Sequence, residues 1–146
     1  MATYSFIDVT ASFTGPTGVI DLGYGSANSQ EGIAVSMTEA KNTMTVGADG
    51  EVMHSLHAGK SGSVTVTLLK TSPVNKKLSL AYNAQSQSSS SWGNNVIVIR
   101  NTSSGDITTA RSVAFQKQPD HTNGKDAGTV AWVFDCGKID QLLGEF

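Results

Sequence analysis

The sequence predicts a mainly β domain, a β-sandwich or barrel with one flanking α-helix. Three observations carry this. The run Ser63 to Leu69 alternates strictly, with Val64, Val66 and Leu68 on one side and Ser63, Thr65 and Thr67 on the other. That period of two marks a strand with one buried face. Directly afterwards the period becomes helical: Ser72 suits an N-cap, Pro73 suits the first helical position, and Val74, Leu78, Ala81 and Tyr82 share one stripe. Elsewhere, short alternating runs follow one another between glycine- and asparagine-rich breaks, with no strand–helix–strand rhythm.

In chain order, Thr3 to Phe13 reads as the first strand, with Ile7, Val9, Ala11 and Phe13 inward. Gly15-Pro16-Thr17-Gly18 is a turn, and Val19 to Leu22 pairs back as a short strand. Gly23 to Gly32 is a polar loop, Ile33 to Thr38 a strand, and Thr43 to Val46 another after a break at Lys41-Asn42. Gly47 to Gly62 is punctuated by glycines and reads as a protruding loop (about 47–59) or loose hairpin, with Asp49-Gly50 a tight turn. The helix is expected over about 73–85. Ser86 to Asn95 is low in complexity, a flexible connection anchored by Trp92. Val96 to Arg100 and Thr129 to Cys136 are strands. Thr108 to Lys117 is a strand of weak pattern, and Ile139 to Leu143 a terminal turn or edge segment.

Composition narrows the class. The 146 residues fit one domain over 1–146 with a real core. A net charge of −2 argues against a basic nucleic-acid-binding surface. Charged residues make up 15% of the chain, against about a quarter in ordinary domains. A surface so neutral is expected to be covered by partners or kept neutral for a purpose. One cysteine, Cys136, leaves no internal disulfide, and neither a signal peptide nor a membrane span is evident, so a cytoplasmic protein is expected.

Catalytic and metal motifs are weak. Gly59-Lys60-Ser61 resembles the end of a phosphate loop, but His54 stands where that motif needs glycine, and a strand follows rather than a helix. Gly23-Tyr24-Gly25 lacks the third glycine of a dinucleotide fingerprint. His54 and His57, near Asp49 and Glu51, have no third histidine or cysteine nearby and read as solvated loop residues. Cys136 reads as a small packing residue, and Asn101-Thr102-Ser103 as an acceptor that matters only on secretion. No enzyme, cofactor or metal site is expected. What does recur is small neutral polar groups on the second faces of strands: Ser36 and Thr38, Thr43 and Thr45, and Ser63, Thr65 and Thr67. Ordinary solvent faces mix in Lys and Glu, which also protect edges from pairing. A face without them suits a surface that a polyanion passes without sticking.

The succession Val46-Gly47-Ala48-Asp49-Gly50-Glu51-Val52, then Gly59, then the strand Ser63 to Leu69, resembles the tail tube proteins of contractile-tailed bacteriophages. Leu69-Lys70-Thr71-Ser72-Pro73-Val74-Asn75 and the opening Tyr4-Ser5-Phe6-Ile7-Asp8-Val9 are similar to the same small phage structural proteins. The resemblance implies homohexameric rings stacked into a hollow tube, in the virion tail, assembled in the host cytoplasm, with kinship to the type VI secretion tube. It implies a ring-stacking loop using Gly47, Asp49, Gly50, Val52, Met53 and Leu56. It also implies a lumen lined by sheets joined between subunits, to which the neutral residues above are assigned. The implied partners are the sheath, baseplate and tail terminator, with viral DNA passing without sequence-specific binding and no membrane. Two alternatives stay open: the tube of a secretion or contractile injection system, and a carbohydrate-binding β-domain presenting aromatics such as Trp92.

Overall fold

The computed structural model describes residues 2–146; of the domain expected over 1–146, Met1 lies outside them. The alternating run becomes a strand, Gly62–Leu69, whose Val64, Val66 and Leu68 are fully buried. It belongs to a seven-stranded antiparallel sheet. With strands numbered along the chain, β1 is Val9–Gly15, β2 Gly18–Asp21, β3 Asn28–Met37, β4 Asn42–Val46, β5 Val52–Leu56 and β6 Gly62–Leu69. The helix α1 is Val74–Gln85, followed by β7 Asn95–Asn101, β8 Ile107–Phe115 and β9 Thr129–Leu142. The sheet runs β2-β1-β7-β8-β9-β6-β3, and β4 and β5 form a separate two-stranded sheet. The large sheet curls into a half-barrel around one core, to which α1 contributes Val74, Leu78 and Ala81.

Aromatic packing fills that core. The Phe115 ring lies 5.1 Å from Phe134, 5.5 Å from Phe13 and Tyr82, and 5.9 Å from Trp132, centroid to centroid. Burying each such side chain contributes about 1.5–3 kcal/mol. The helix contributes Val74, Leu78 and Ala81 as its spacing predicts, and half-buried Tyr82 reaches Phe115. Ser72 Oγ accepts from Val74 N–H at 3.3 Å and donates to the Ser26 carbonyl at 2.6 Å, so it caps the helix while tying it to the loop before β3. Trp92 packs edge-on against Tyr82 and at a tilt against Phe115, the anchor expected of it.

Four local expectations are corrected. Ile7 is not inside a first strand: Phe6–Asp8 is a short 3-10 turn, and Ile7 is exposed. The polar loop ends at Asn28, because β3 begins there and carries an irregularity between Asn28 and Ile33. Ile139 to Leu142 is no element of its own: it continues β9 past Cys136, where β6 ends, and pairs with β8 alone down to Ile107↔Leu142, so it is an edge segment of that strand. The weak pattern of β8 comes from a bulge: Ser112 has φ 53°, and the buried residues Ala110 and Val113 are three apart rather than two. In β9, Cys136 and Ile139 repeat that spacing, so a crease crosses both strands.

Candidate functional site

The expected loop from Gly47 to Gly59 takes in the turn of a hairpin and the whole of its second strand, β5. β4 and β5 pair from Asn42↔Leu56 to Val46↔Val52, and Gly50, at φ 89°, supplies the left-handed turn residue after Asp49. Asp49 Oδ1 accepts from the Glu51 N–H at 3.1 Å, which closes the turn. The hairpin springs from the Met37/Gly62 end of the β3–β6 pair. Alternation places Met44, Val46, Val52 and Leu56 on one face, all exposed, Leu56 at 82%. His54 Nδ1 lies 3.2 Å from Asn42 Nδ2, and His57 Nε2 lies 2.7 Å from Thr43 Oγ1. Asp49 and Glu51 are the only formally charged residues between Lys41 and Lys60. Among the described residues, no three His, Cys, Asp or Glu side chains cluster closely enough to hold a metal ion.

The neutral polar residues divide between two sheets. Ser63, Thr65 and Thr67 lie on the outward face of β6, with Ser36 of β3 paired to Ser63. Thr38 follows β3, its N–H donating to the Ser61 carbonyl at 3.0 Å. Thr43 and Thr45 belong to the hairpin instead. The same outward face of the large sheet also carries charge, which composition alone did not reveal. At the crease Arg111 pairs with Lys138 across β8 and β9, and Thr109 pairs with Asp140. Asp140 lies 3.2 Å from Lys60 and 3.8 Å from Lys138. The Lys60 hydrogen bond, aided by Lys138 and Arg111, holds the Asp140 carboxyl below its ordinary range.

The surface grooves include one beside each edge strand of the large sheet. A cleft of about 560 Å³ lies between β3, β7 and the chain termini, with Tyr4, Phe6, Val9, Ile33 and Ile99 beside Glu31, Arg100 and Asp106. Glu31 accepts a hydrogen bond from Ser29 Oγ, which lowers its pKa, and Asn28 Oδ1 is buried there without a partner. The second groove, about 500 Å³, runs between α1 and β2 and is lined by Val19, Ile20, Leu80 and Ala81 beside Lys77. Its floor rests on a buried amide clasp that sequence reasoning missed. Asn95 Nδ2 donates to Gln85 Oε1 at 2.7 Å and to the Val113 carbonyl at 3.0 Å; Gln85 Nε2 donates to Asn95 Oδ1 at 2.9 Å and to Thr17 Oγ1 at 3.1 Å. Cys136 is buried against the core, and burial, with the adjacent Asp135 carboxylate, pushes its thiol up to about 11.

What remains is a half-barrel with a projecting hairpin, two edge strands and no assembled catalytic group among the described residues. The family model of the Bacteriophage PhiTE tail tube protein matches residues 1–144. The chain belongs to that tail tube family. Its fold is also that of solved injection-system chains. A chain from the sheath/tube terminator of the extracellular contractile injection system PVC aligns at TM-score 0.59 and 10% identity, over 97% of this chain and 98% of that one. A chain from the PVC sheath–tube complex aligns at 0.57 and 9%, over 97% and 92%. One from the tube-terminating cap of the anti-feeding prophage aligns at 0.55 and 6%, over 99% and 95%. No curated protein matches by sequence. The tail tube family is structural, so the surfaces that matter in this tube protein are those for assembly. Among the described residues, no helix is long and apolar enough to cross a membrane.

Proposed function

We propose that this chain is the repeating subunit of a phage tail tube: copies join into six-membered rings, the rings stack, and viral DNA passes down the bore at ejection. Family membership over residues 1–144 is the observation that carries the reading. Three features support it. The hairpin, with Gly47, Asp49, Gly50 and Val52 at its tip, Met53 next along β5 and Leu56 at its base, forms a sheet separate from the core sheet, which suits contact with a neighbouring ring. The edge strands β2 and β3 leave backbone groups available for pairing between subunits. The outward hydroxyls of Ser36, Ser63, Thr65 and Thr67 suit a lining that holds no phosphate strongly. Thr38, Thr43 and Thr45 lie off that face, at the base and along the flank of the hairpin. Sheath, baseplate and terminator are the partners such a tube requires, with assembly in the host cytoplasm.

A second reading, the tube of a contractile injection system, is favoured by the origin of the structures that share the fold. Electron microscopy of the purified chain, alone and with its tail initiator, tests the common part of both readings. Hollow tubes with six-fold rings are expected; a persistent monomer overturns it. Particles carrying a DNA-filled capsid on the tube separate the phage from the injection system.

A further inference from the structure

The hairpin and the groove between α1 and β2 sit at opposite edges of the sheet. The hairpin leaves the Met37/Gly62 end of β3, one edge strand, whereas the groove flanks the Gly18 end of β2, the other edge. Register carried across the strands runs from Gly18 through Gly15, Asn95, Val113 and Cys136 to Gly62, so the two surfaces lie at the two ends of one row across the sheet. A face of one copy that fits a different face of another makes a head-to-tail contact, which propagates rather than closing on itself as a two-fold pair does.

We propose that the α1/β2 groove receives the hairpin of a second copy, a contact that rests on the tube reading above and names the surface the stacking hairpin meets. An isolated two-stranded hairpin is marginal in water, so one exposing Met44, Val46, Val52 and Leu56 on one face needs a cover. The groove is its chemical counterpart. Val19 and Leu80 are exposed at 70% and 60%, and Ile20, Ala81 and Ala84 floor it. Charge selects between the two grooves. The hairpin tip carries Asp49 and Glu51 and no cation. The larger cleft presents Glu31 and Asp106 against Arg100, which repels part of that tip, whereas the α1/β2 groove presents Lys77, which has no ion-pair partner among the described residues.

Cysteine pairing tests the contact, because native Cys136 is buried with its thiol pushed up to about 11 and stays silent. A chain carrying Val52→Cys and Leu80→Cys, assembled and then oxidised or treated with a short bismaleimide, should give a ladder of dimers, trimers and higher multimers in denaturing gels. Reversing one partner gives a second readout: Lys77→Glu should raise the concentration needed for assembly about tenfold, the factor for about 1.4 kcal/mol, and Glu51→Lys or Asp49→Lys in the same chain should lower it again. Particles that assemble normally yet cross-link only as monomers, with no effect of Lys77→Glu, overturn the docking and leave the tube reading standing. A wild-type chain that never associates, even with its initiator, overturns both.

Discussion

Replacing Gln85 by Leu puts the amide clasp to a quantitative test. Gln85 and Asn95 are both fully buried, and each amide meets the other in two hydrogen bonds of 2.7 and 2.9 Å. Leucine has nearly the volume of glutamine, so packing changes little. Asn95 Oδ1 and one Asn95 N–H are then left buried without partners. A stranded buried group costs about 1–3 kcal/mol, which makes about 2–6 kcal/mol for the two. That is a large share of the 5–15 kcal/mol (roughly) that holds such a domain folded. Gly15 packs directly against the Asn95 amide and leaves no room there for a side chain. Replacing both residues by Leu removes the stranded pair and leaves chiefly the Val113 carbonyl unmet, at about 1–3 kcal/mol. The double variant should therefore be more stable than either single one. Urea unfolding with an unchanged slope measures this. Additive losses, or a Gln85→Leu loss below about 1 kcal/mol, refute the idea that the amides act as a unit.

Three further outcomes follow from other sites. Val66→Asp should abolish folding, since Val66 is fully buried, whereas Thr65→Asp on the opposite face should leave the thermal midpoint within a few degrees. Cys136 should react with iodoacetamide at pH 8 far more slowly in the native chain than in urea. Because its folded pKa is raised to about 11 from 9.0, the stability this confers is complete below pH 9 and declines as pH rises from 9 to 11; Cys136→Ala should flatten that decline in pH-dependent denaturation. Asp140→Asn should leave assembly intact and make the outward face bind duplex DNA more tightly at low salt, measurable by filter retention; unchanged retention refutes a role for Asp140 in engaging the crease cations.

What the sequence made legible is what periodicity governs. Val64, Val66 and Leu68 could be assigned inward because nothing interrupts β6, and the helix because Pro73 and the stripe Val74, Leu78, Ala81 agree. The failures each have a local cause. Arg111-Ser112 and Gly137-Lys138 break the alternation at the crease, so β8 looked weak and β9 seemed to stop at Cys136. The strand β5 was hidden because Val52-Met53-His54-Ser55-Leu56 has little β-branching and sits among glycines, and only the ladder with β4 orders it. The clasp left no signal, since Gln85 and Asn95 bracket a serine-rich stretch that reads as solvent-facing. The neutral strand faces were visible as residues, but whether two strands shared a sheet was not. Topology put Thr43 and Thr45 on the hairpin, Asp135 opposite Ser63, and the crease cations Arg111 and Lys138 beyond the Gly62↔Cys136 pair.

Those cations bear on how a bore could be smooth without being uncharged. On the proposed reading, the outward face presents hydroxyls along β6 and then Lys60, Arg111 and Lys138 at the crease, and six copies would repeat that band around each ring. Three free cations per subunit would hold phosphates through many ionic contacts, each adding to the salt dependence and to retention. Asp140 lies among all three. Its hydrogen bond to Lys60 at 3.2 Å and its approach to Lys138 at 3.8 Å commit its two oxygens to different cations, and their charge in turn keeps the carboxylate ionised. An exposed ion pair is worth little to stability, so folding does not explain the arrangement. Local neutralisation does: one carboxylate occupies two ammonium groups that would otherwise be free, and a passing backbone meets partners already engaged. The charge a passing backbone meets is thus kept down in two ways on one face, by hydroxyls along β6 and by ion pairing that engages two of the three crease cations.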